Sequence, residues 1–484
     1  MTKMRRSLCF LLLVAMIVNC HRSDAEANKA ERSKLASAYI PAERLDSYAD
    51  LALQWEREYL RIDTTNPPGN ETRAAAFLKR IFDQYMVENR VFDYAPGHAD
   101  VWARITANTS PVRRPIVLLN HMDVVTSDAA QWKAPPFSAQ IVNGSIYGRG
   151  AQDMKSEGLA QLMVMMMLKS EKVPLDRDVI FLAVSDEEVD GTGTDWFIKN
   201  ELDLLENAEF LINEGGENLV ERDGSVKYVG VDVGEKSPFW LHVAAHGRAG
   251  HGSRPNPDSA PDRLVRALSR IMEYRTPFKV LPVVEEFLQD MAPYEPPSRA
   301  QQYRNIKQAL RDKGFQQEVE RDESLNFLLR NTIQLTMLGG SDQTNVIPAE
   351  AWANLDVRLL PGEDPKNFLE TIREVMKDAN VTVEPENAEF RVANYSPTDT
   401  SLYRAIKQVS AQYFPGAPVA PRLTSGYTEN QRYRPLGINC YGFSPYTATE
   451  EESSSEHGNN ERIREEEVRR GFKVLYDVVT AVAD

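Results

Sequence analysis

The chain has 484 residues, of which 42% are hydrophobic and 26% are charged, and its formal net charge is -15 at pH 7. These proportions are ordinary for a folded globular protein and exclude a fibrous or largely disordered chain. The length predicts more than one domain, because a single hydrophobic core stops growing below this size. The acidic balance argues against a nucleic-acid partner, which would require a basic surface.

The start of the chain has the layout of a secretory signal peptide. Basic residues precede an apolar run from Leu8 to Val18, which is too short to span a membrane. Residues 17–20 loosely match a bacterial lipoprotein cleavage box, although Asn19 replaces the expected small residue. We therefore expect a signal segment at residues 1–20 and a secreted or periplasmic protein, with Cys20 as a candidate lipid anchor. No later stretch reaches the roughly 20 apolar residues of a transmembrane span.

Residues 36–233 alternate helical patterns with short apolar runs, which is typical of βαβ units and predicts an α/β domain with a mostly parallel sheet flanked by helices. Predicted strands at 115–119, 179–184 and 209–212 each run into a loop with acidic residues or histidine. Ligands of open α/β sheets bind at the carboxyl ends of strands. We therefore expect the functional residues to converge at that edge.

A second pattern occupies residues 234–394. Strands with period-two alternation and intervening helices predict a smaller α+β domain. Within it, residues 280–331 are rich in charge, Pro and Gln and predict a mostly helical insertion. Residues 395–484 return to the first pattern, so the smaller domain is inserted into the larger one.

Cysteine usage restricts the chemistry of a metal site. Cys9 lies in the signal segment and Cys20 at its end, so the mature domain would hold only Cys440 and no internal disulfide. Zinc ligands would therefore have to be histidines and carboxylates.

Acidic residues and histidine follow the predicted strands. His121 and Asp123 are two residues apart at a strand end, so both side chains leave the same face and Asp123 could orient a metal-bound His121. Asp153 lies in a Gly-rich turn that opens a helix, where the alternative is a simple N-cap. Glu187 and Glu188 end a buried strand, where adjacent acids are costly unless water or cations neutralise them.

Glu214 repeats this pattern of a strand followed by a carboxylate. Each motif alone has an ordinary structural explanation, such as a hydrogen-bonded pair, a helix cap or an exposed acidic loop. The series His121, Asp153, Glu188 and Glu214 together indicates a metal site.

The order and spacing of five motifs resemble the M20 family of metallopeptidases and aminoacylases. These are His121-x-Asp123, Gly148-Arg149-Gly150-Ala151-x-Asp153-x-Lys155, Asp186-Glu187-Glu188, Asn213-Glu214-Gly215 and His457-x-x-Asn460-Glu461. The segment from Trp132 to Ser138 is most similar to the branch that contains carboxypeptidase S and the larger N-acyl-amino-acid hydrolases.

The resemblance implies two zinc ions per chain, for which cobalt or manganese could substitute. Their ligands are His121 and Glu214 on one metal, Glu188 and His457 on the other, and Asp153 bridging both. The resemblance makes Glu187 the general base that takes a proton from water and delivers it to the leaving amine, while Asp123 supports a metal-bound histidine.

The resemblance extends to the smaller domain and implies that this domain serves as a lid or for dimerisation. In relatives, the histidine matching His251 reaches across a dimer to the partner's metal site and stabilises the oxyanion. Asn345 and Arg358 match residues that bind the substrate's carbonyl and carboxylate, and a surface salt bridge is the alternative for Arg358. We therefore expect a homodimer, unless residues 280–331 occupy the dimer face or supply the histidine within one chain.

One segment departs from the family pattern. Relatives commonly carry Gly-x-Thr-Asp-x-Arg before the last histidine, whereas this chain has Glu429 in place of Asp and Gln431 in place of Arg. Arg432 could substitute through a one-residue shift. Because Gly426 and its neighbours are expected to line the substrate, the departure bears on specificity more than on catalysis.

These observations predict a hydrolase that cuts a peptide or amide bond next to a free carboxylate. A carboxypeptidase acting on small peptides is the first hypothesis, and an N-acyl-amino-acid amidohydrolase is the alternative that uses the same metals and base. A binding protein without catalysis is a third hypothesis, which the retention of Glu187 together with all five predicted ligands disfavours.

Overall fold

The computed structural model describes residues 35–221, 224–386, 392–424 and 426–483. The predicted signal segment and the candidate lipidation site at Cys20 lie outside these ranges. Within them, none of the helices combines the length and the apolar composition that a membrane crossing requires.

A mixed, mostly parallel sheet of eight strands forms the larger part of the fold, with the strand order β1-β2-β6-β3-β7-β17-β8-β16. Its strands are β1 (Glu88–Ala95), β2 (His98–Ile105), β3 (Arg113–His121), β6 (Arg177–Val184), β7 (Phe210–Asn213), β8 (Val229–Glu235), β16 (Val419–Thr424) and β17 (Asn439–Gly442). The central neighbours β6, β3, β7 and β17 pair in parallel, and β16 pairs in parallel with β8. The predicted α/β fold is confirmed.

Both faces of the large sheet are buried. Along β3, Ile116 and Leu118 enter one apolar core, whereas Val117 and Leu119 enter the core on the opposite face. Alternate side chains of a strand point to opposite faces, so a strand that is apolar throughout requires a cover on both sides.

Helices provide that cover. The α-helices outside the second sheet and the insertion are Ala42–Leu60, Glu71–Gln84, Lys155–Glu171, Thr192–Glu201, Ser401–Tyr413, Asn430–Tyr433, Glu450–Ser453 and Glu465–Ala483. Short 3₁₀ helices occupy Ala36–Tyr39, Ala129–Gln131, Leu202–Leu205, Ala292–Tyr294 and Arg434–Leu436. The Met-rich helix Lys155–Glu171 is buried from its first residue to Leu168, as expected for a helix that is apolar on all sides.

A second, antiparallel sheet is inserted between β8 and the helix Ser401–Tyr413. Its strands are β9 (Ser237–Pro238), β10 (Leu241–His246), β12 (Thr332–Gly339), β14 (Glu350–Leu359) and β15 (Val381–Pro385). The order is β12-β14-β10-β15, with β9 paired to β14. The helices Ala260–Glu273 and Pro365–Met376 share an apolar core with this sheet. The predicted smaller α+β domain is therefore confirmed.

The segment predicted as an insertion is helical: its α-helices are Pro282–Met291, Pro297–Arg304, Ile306–Ala309, Lys313–Arg321 and Glu323–Leu329. Although it lies within the second domain along the chain, Leu288, Ile306 and Val319 join the apolar core of the large sheet. The insertion therefore packs with the large sheet.

The buried ammonium group of Lys236 forms hydrogen bonds that connect the insertion to the point where the chain leaves the large sheet. It donates hydrogen bonds to the carbonyl oxygens of Phe327 and Arg330 at 3.1 and 2.9 Å and to the hydroxyl of Thr332 at 3.0 Å.

Two small sheets complete the fold. One is formed by β4 (Gln140–Val142), β5 (Ser145–Tyr147) and β18 (Arg462–Arg464), and the other by β11 (Gly250–His251) and β13 (Val346–Ile347).

Candidate metal centre and active site

The carboxyl ends of three parallel strands bring three of the predicted ligands together. β3 ends at His121, which is in register with Val184 at the end of β6, and Glu188 follows four residues later. β7 ends at Asn213, directly before Glu214. Convergence at one edge follows from the parallel order of these strands.

Asp153 lies between two histidines. Its Oδ1 is 2.9 Å from Nε2 of His121, and its Oδ2 is 2.8 Å from Nε2 of His457. Glu214 adds an oxygen 3.4 Å from Nε2 of His121, and Glu188 adds one 3.1 Å from Nε2 of His457. The five predicted ligands therefore form two groups that share one carboxylate.

The electrostatics of these groups fit divalent cations. Burial opposes a charge on His121, yet hydrogen bonds with neighbouring carboxylates raise its pKa well above the ordinary value. Hydrogen bonds with Asp153 and Glu188 raise the pKa of His457 to about 10. A metal ion binds the neutral form of each ring, so metal binding at this site would be coupled to proton release.

The donor set also fits a metal. Oε1 of Glu188 is buried without a hydrogen-bond partner, although a buried carboxylate oxygen normally has one. Imidazole nitrogens and carboxylate oxygens are suitable zinc ligands, and the described residues offer them in a compact cluster.

Asp123 contacts both His121 and the loop of the predicted base. Nδ1 of His121 is 3.1 Å from the backbone carbonyl oxygen of Asp123 and 3.5 Å from its carboxylate. The carboxylate also accepts the backbone N–H groups of Glu187 and Glu188, both at 3.1 Å. Asp123 thus lies against the ring of His121 and holds the loop of the predicted base through its side chain.

The buried carboxylate of Glu461 supports the loop that carries Asp153. It accepts backbone N–H groups from Gly150, Gln152 and Asp153 at 3.0, 2.7 and 3.1 Å. It also pairs with the buried guanidinium of Arg149 at 2.6 Å. A turn without regular backbone pairing is thereby held in place by one side chain from the C-terminal part of the chain.

Glu187 lies beside two other carboxylates. One of its oxygens, one of Glu214 and one of Glu429 lie within 4.8 Å of one another. Burial, followed by the charges of Glu429 and Glu214, raises the pKa of Glu187 well above its ordinary value. Glu429 is fully buried, accepts a hydrogen bond from Thr194 at 3.3 Å, and leaves Oε2 without a partner. The departure from the family pattern therefore lies next to the predicted base.

Arg432 and Gln431, which lie near this departure, form hydrogen bonds with different parts of the chain. Arg432 donates to the carboxylate of Asp195 at 3.1 Å and to the carbonyl oxygen of Asp190 at 2.7 Å. The side chain of Gln431 donates to the carbonyl oxygen of Lys236 at 3.0 Å. Arg432 thus holds the segment that follows the loop of Glu187. Gly426 is exposed.

The remaining predicted residues lie in the second domain. β11 and β13 bring His251 and Asn345 together, and the N–H of Gly252 donates to the carbonyl oxygen of Asn345 at 2.8 Å. The exposed ring of His251 accepts the N–H of Ser253 at Nδ1, which leaves Nε2–H as the donor of the neutral ring. Arg358 pairs with Asp356 at 2.7 Å.

The family follows from the sequence comparison. The family model described as peptidase family M20/M25/M40 matches residues 117–481. The chain belongs to this family. It is an M20 metallohydrolase, and the five side chains that the motifs predict as metal ligands lie together in its described structure.

Curated relatives of this M20 chain include aminoacylases. Aminoacylase-1 of Homo sapiens is 28% identical over 432 residues, which cover 88% of this chain and 94% of the relative. The N-fatty-acyl-amino acid synthase/hydrolase of Xenopus tropicalis is 28% identical over 369 residues, which cover 73% of this chain and 70% of the relative.

Solved M20 structures share the fold. An M20 family metallo-carboxypeptidase from Sulfolobus solfataricus matches with a TM-score of 0.65 and 20% identity, covering 89% of this chain and 98% of that one. Human carnosine dipeptidase 1 matches with a TM-score of 0.63 and 15% identity, covering 91% and 97%. A Bacillus subtilis protein described as a dinuclear metal binding M20 peptidase has a TM-score of 0.58 and 12% identity, covering 90% and 99%.

Sequence reasoning missed the structural roles of three residues in this M20 site. Glu461 stands in the last motif but carried no assigned role, and Glu429 was expected on the substrate side. Asn66 lies outside every motif of the sequence, yet its side chain donates a hydrogen bond to the carboxylate of Asp123. The sequence offers one signal for the role of Glu461: this residue belongs to the same motif as a predicted metal ligand.

Proposed function

We propose that this M20 protein is a two-zinc amidohydrolase that releases amino acids from N-acyl amino acids. The observation that supports this substrate class is the 28% identity with aminoacylase-1 across 88% of the chain. A carboxypeptidase is the first hypothesis from the sequence motifs, whereas the curated relatives favour the alternative, an N-acyl-amino-acid amidohydrolase. Residues 132–138 are similar to the branch that includes the larger N-acyl-amino-acid hydrolases, which is consistent with the similarity to the N-fatty-acyl-amino acid enzyme.

The metal positions follow the two groups of side chains. His121 and Glu214 would hold one zinc, Glu188 and His457 would hold the other, and Asp153 would contact both. Zinc held there would supply a Lewis acid that lowers the pKa of water and polarises the substrate's carbonyl group.

Two contacts support Glu187 as the general base of the proposed reaction. Its backbone is fixed by the carboxylate of Asp123, and its side chain lies among the oxygens of Glu214 and Glu429. In the proposed reaction Glu187 takes a proton from water as the water oxygen bonds to the amide carbonyl carbon, and it delivers that proton to the nitrogen of the leaving amino acid. The amide C–N bond then breaks, and the carboxylic acid and the amino acid leave.

The second domain would recognise the substrate. Arg358 would bind the free carboxylate, and Asn345 the carbonyl group, while Gly426 would line the substrate side. The Nε2–H of His251 would donate to the oxyanion, from a partner subunit of a homodimer. The sequence also leads us to propose a secreted or periplasmic location, with Cys20 as a lipid anchor.

A substrate panel tests the proposal. The purified zinc protein would be assayed with N-acetyl, N-fatty-acyl and dipeptide substrates that share the same C-terminal amino acid, so that only the acyl side differs. We expect kcat/KM for an N-acyl substrate to exceed that for the matched dipeptides by at least tenfold, which corresponds to about 1.4 kcal/mol. A preference for dipeptides would establish the carboxypeptidase instead, and Glu187→Gln provides the control for contaminating hydrolases.

A further inference from the structure

The segment that begins with Asn66 lies against the metal centre, although it contains none of the family motifs. Asn66 starts the sequence Asn-Pro-Pro-Gly-Asn between two helices, and it is 5% exposed. Its backbone N–H donates to the carbonyl oxygen of Val124 at 2.9 Å, and Thr65 forms a bridge with the same residue. The segment is therefore attached to the loop that follows His121.

The side-chain amide of Asn66 joins two buried carboxylates. Its Nδ2 donates to Oδ2 of Asp123 at 3.0 Å and to Oδ1 of Asp186 at 2.7 Å. Both acids are buried, so each requires donors in place of water. Since an amide nitrogen carries two hydrogens, a single Asn can satisfy both.

These carboxylates hold opposite sides of the loop that carries Glu187. Asp123 accepts the backbone N–H groups of Glu187 and Glu188. Asp186 has a φ of 67°, which costs energy in a residue other than glycine, and its carboxylate accepts a hydrogen bond from the hydroxyl of Thr192. The loop conformation thus depends on where these two carboxylates are held.

We propose that Asn66 is a positioning residue for Glu187. Its amide holds the carboxylates of Asp123 and Asp186 together, and through them it fixes the direction in which the Glu187 side chain leaves the loop. Without the amide, two buried acids would face each other and move apart. This inference rests on the proposed role of Glu187 as the general base.

Two substitutions test the inference. Asn66→Ala removes the amide, and Asn66→Asp replaces it with a third carboxylate of nearly the same shape. Displacement of a reacting group by about 1 Å can cost about 10²-fold in rate. We therefore expect kcat to fall about 10- to 100-fold in Asn66→Ala and further in Asn66→Asp. KM should change less than about threefold and the zinc content should remain at the wild-type level, because the predicted ligands and substrate residues are intact.

Asn331→Asp is the matched control. Asn331 is also buried, and its Nδ2 donates to the carboxylate of Glu363 at 3.1 Å, so this substitution likewise places an acid against an acid. It lies at the junction of the insertion and β12, and we expect its kcat to stay within about twofold of the wild type, even if the melting temperature falls.

Three measurements decide the outcome. Melting temperature, zinc content and kcat would be determined for every variant that folds. A kcat of Asn66→Ala within twofold of the wild type overturns the inference, and so does a loss of activity that parallels a loss of zinc or of folded protein. If Glu187→Gln itself retained full kcat, the assignment of the base would be wrong, and that failure is distinct from a failure at Asn66.

Discussion

The carboxylate of Glu461 accepts the backbone N–H of Asp153 at 3.1 Å, across a separation of 308 residues. The same carboxylate neutralises the buried guanidinium of Arg149. The placement of the shared carboxylate of the metal centre thus depends on a residue near the C-terminal end of the chain.

Glu461→Gln should destabilise the protein and weaken metal binding. Removing one partner of a buried ion pair typically costs about 3–5 kcal/mol, because the other charge remains buried without compensation. The free energy of unfolding, measured with denaturant at a fixed zinc concentration, would show this loss. Glu451→Gln is the control: Glu451 pairs with Arg462 but is 77% exposed, so its loss should cost less than about 1 kcal/mol. Equal effects of the two substitutions would contradict the prediction.

Glu187→Gln and Glu188→Gln should separate the base from the ligand. The amide of Glu187→Gln cannot accept a proton, so turnover should fall by about 10²–10⁴-fold while two equivalents of metal remain. Glu188→Gln should instead reduce the metal content, because it removes a carboxylate that lies 3.1 Å from the ring of His457. Elemental analysis and turnover of both variants give the answer. The reverse pattern would exchange the two assignments.

His251→Ala should lower turnover by about 10²–10³-fold with unchanged metal content, since a donor to the oxyanion would be lost. Mixing this variant with Glu187→Gln tests whether the histidine acts across subunits, because a heterodimer would contain one centre with both wild-type groups. We expect activity to return towards half of the wild-type value per heterodimer. If the subunits exchange and activity stays at the mutant level, or if the wild-type monomer is fully active, His251 does not act in trans.

Glu56→Gln should change how stability depends on pH. Burial raises the pKa of Glu56 from 4.5 to about 7, and its Oε2 has no hydrogen-bond partner. Below pH 4.5 the acid is protonated in both the folded and the unfolded chain. As the pH rises from 4.5 to about 7, the unfolded chain loses the proton while the folded chain keeps it, so the free energy of unfolding falls. At pH 8 the variant should therefore be more stable than the wild type.

The expected gain at pH 8 is up to about 3 kcal/mol, since one pKa unit corresponds to about 1.4 kcal/mol. Unfolding of both proteins at pH 4.5 and pH 8, with equal zinc, measures it. A stability difference that is the same at both pH values would show that Glu56 does not titrate in this way.

Much of the centre could be predicted because its residues follow apolar strands. The runs that became β3, β6 and β7 are recognisable in the sequence, and the parallel order of such strands brings their carboxyl ends together. The position of Glu429 beside Glu187 could not be predicted, because it depends on how a loop more than two hundred residues away folds back over the sheet. The packing of the insertion against the large sheet could not be predicted from the sequence either. An amphipathic helix reveals which face it buries, but not which sheet will cover that face.

Lys236 has a consequence for interdomain motion. It lies between β8 and β9, at the crossing from the large sheet to the second one, and its ammonium group is bonded to the end of the insertion. A hinge at this crossing would have to break the hydrogen bonds of a buried cation. We therefore expect the large sheet and the insertion to rotate as one rigid unit, with any bending confined to residues beyond Lys236.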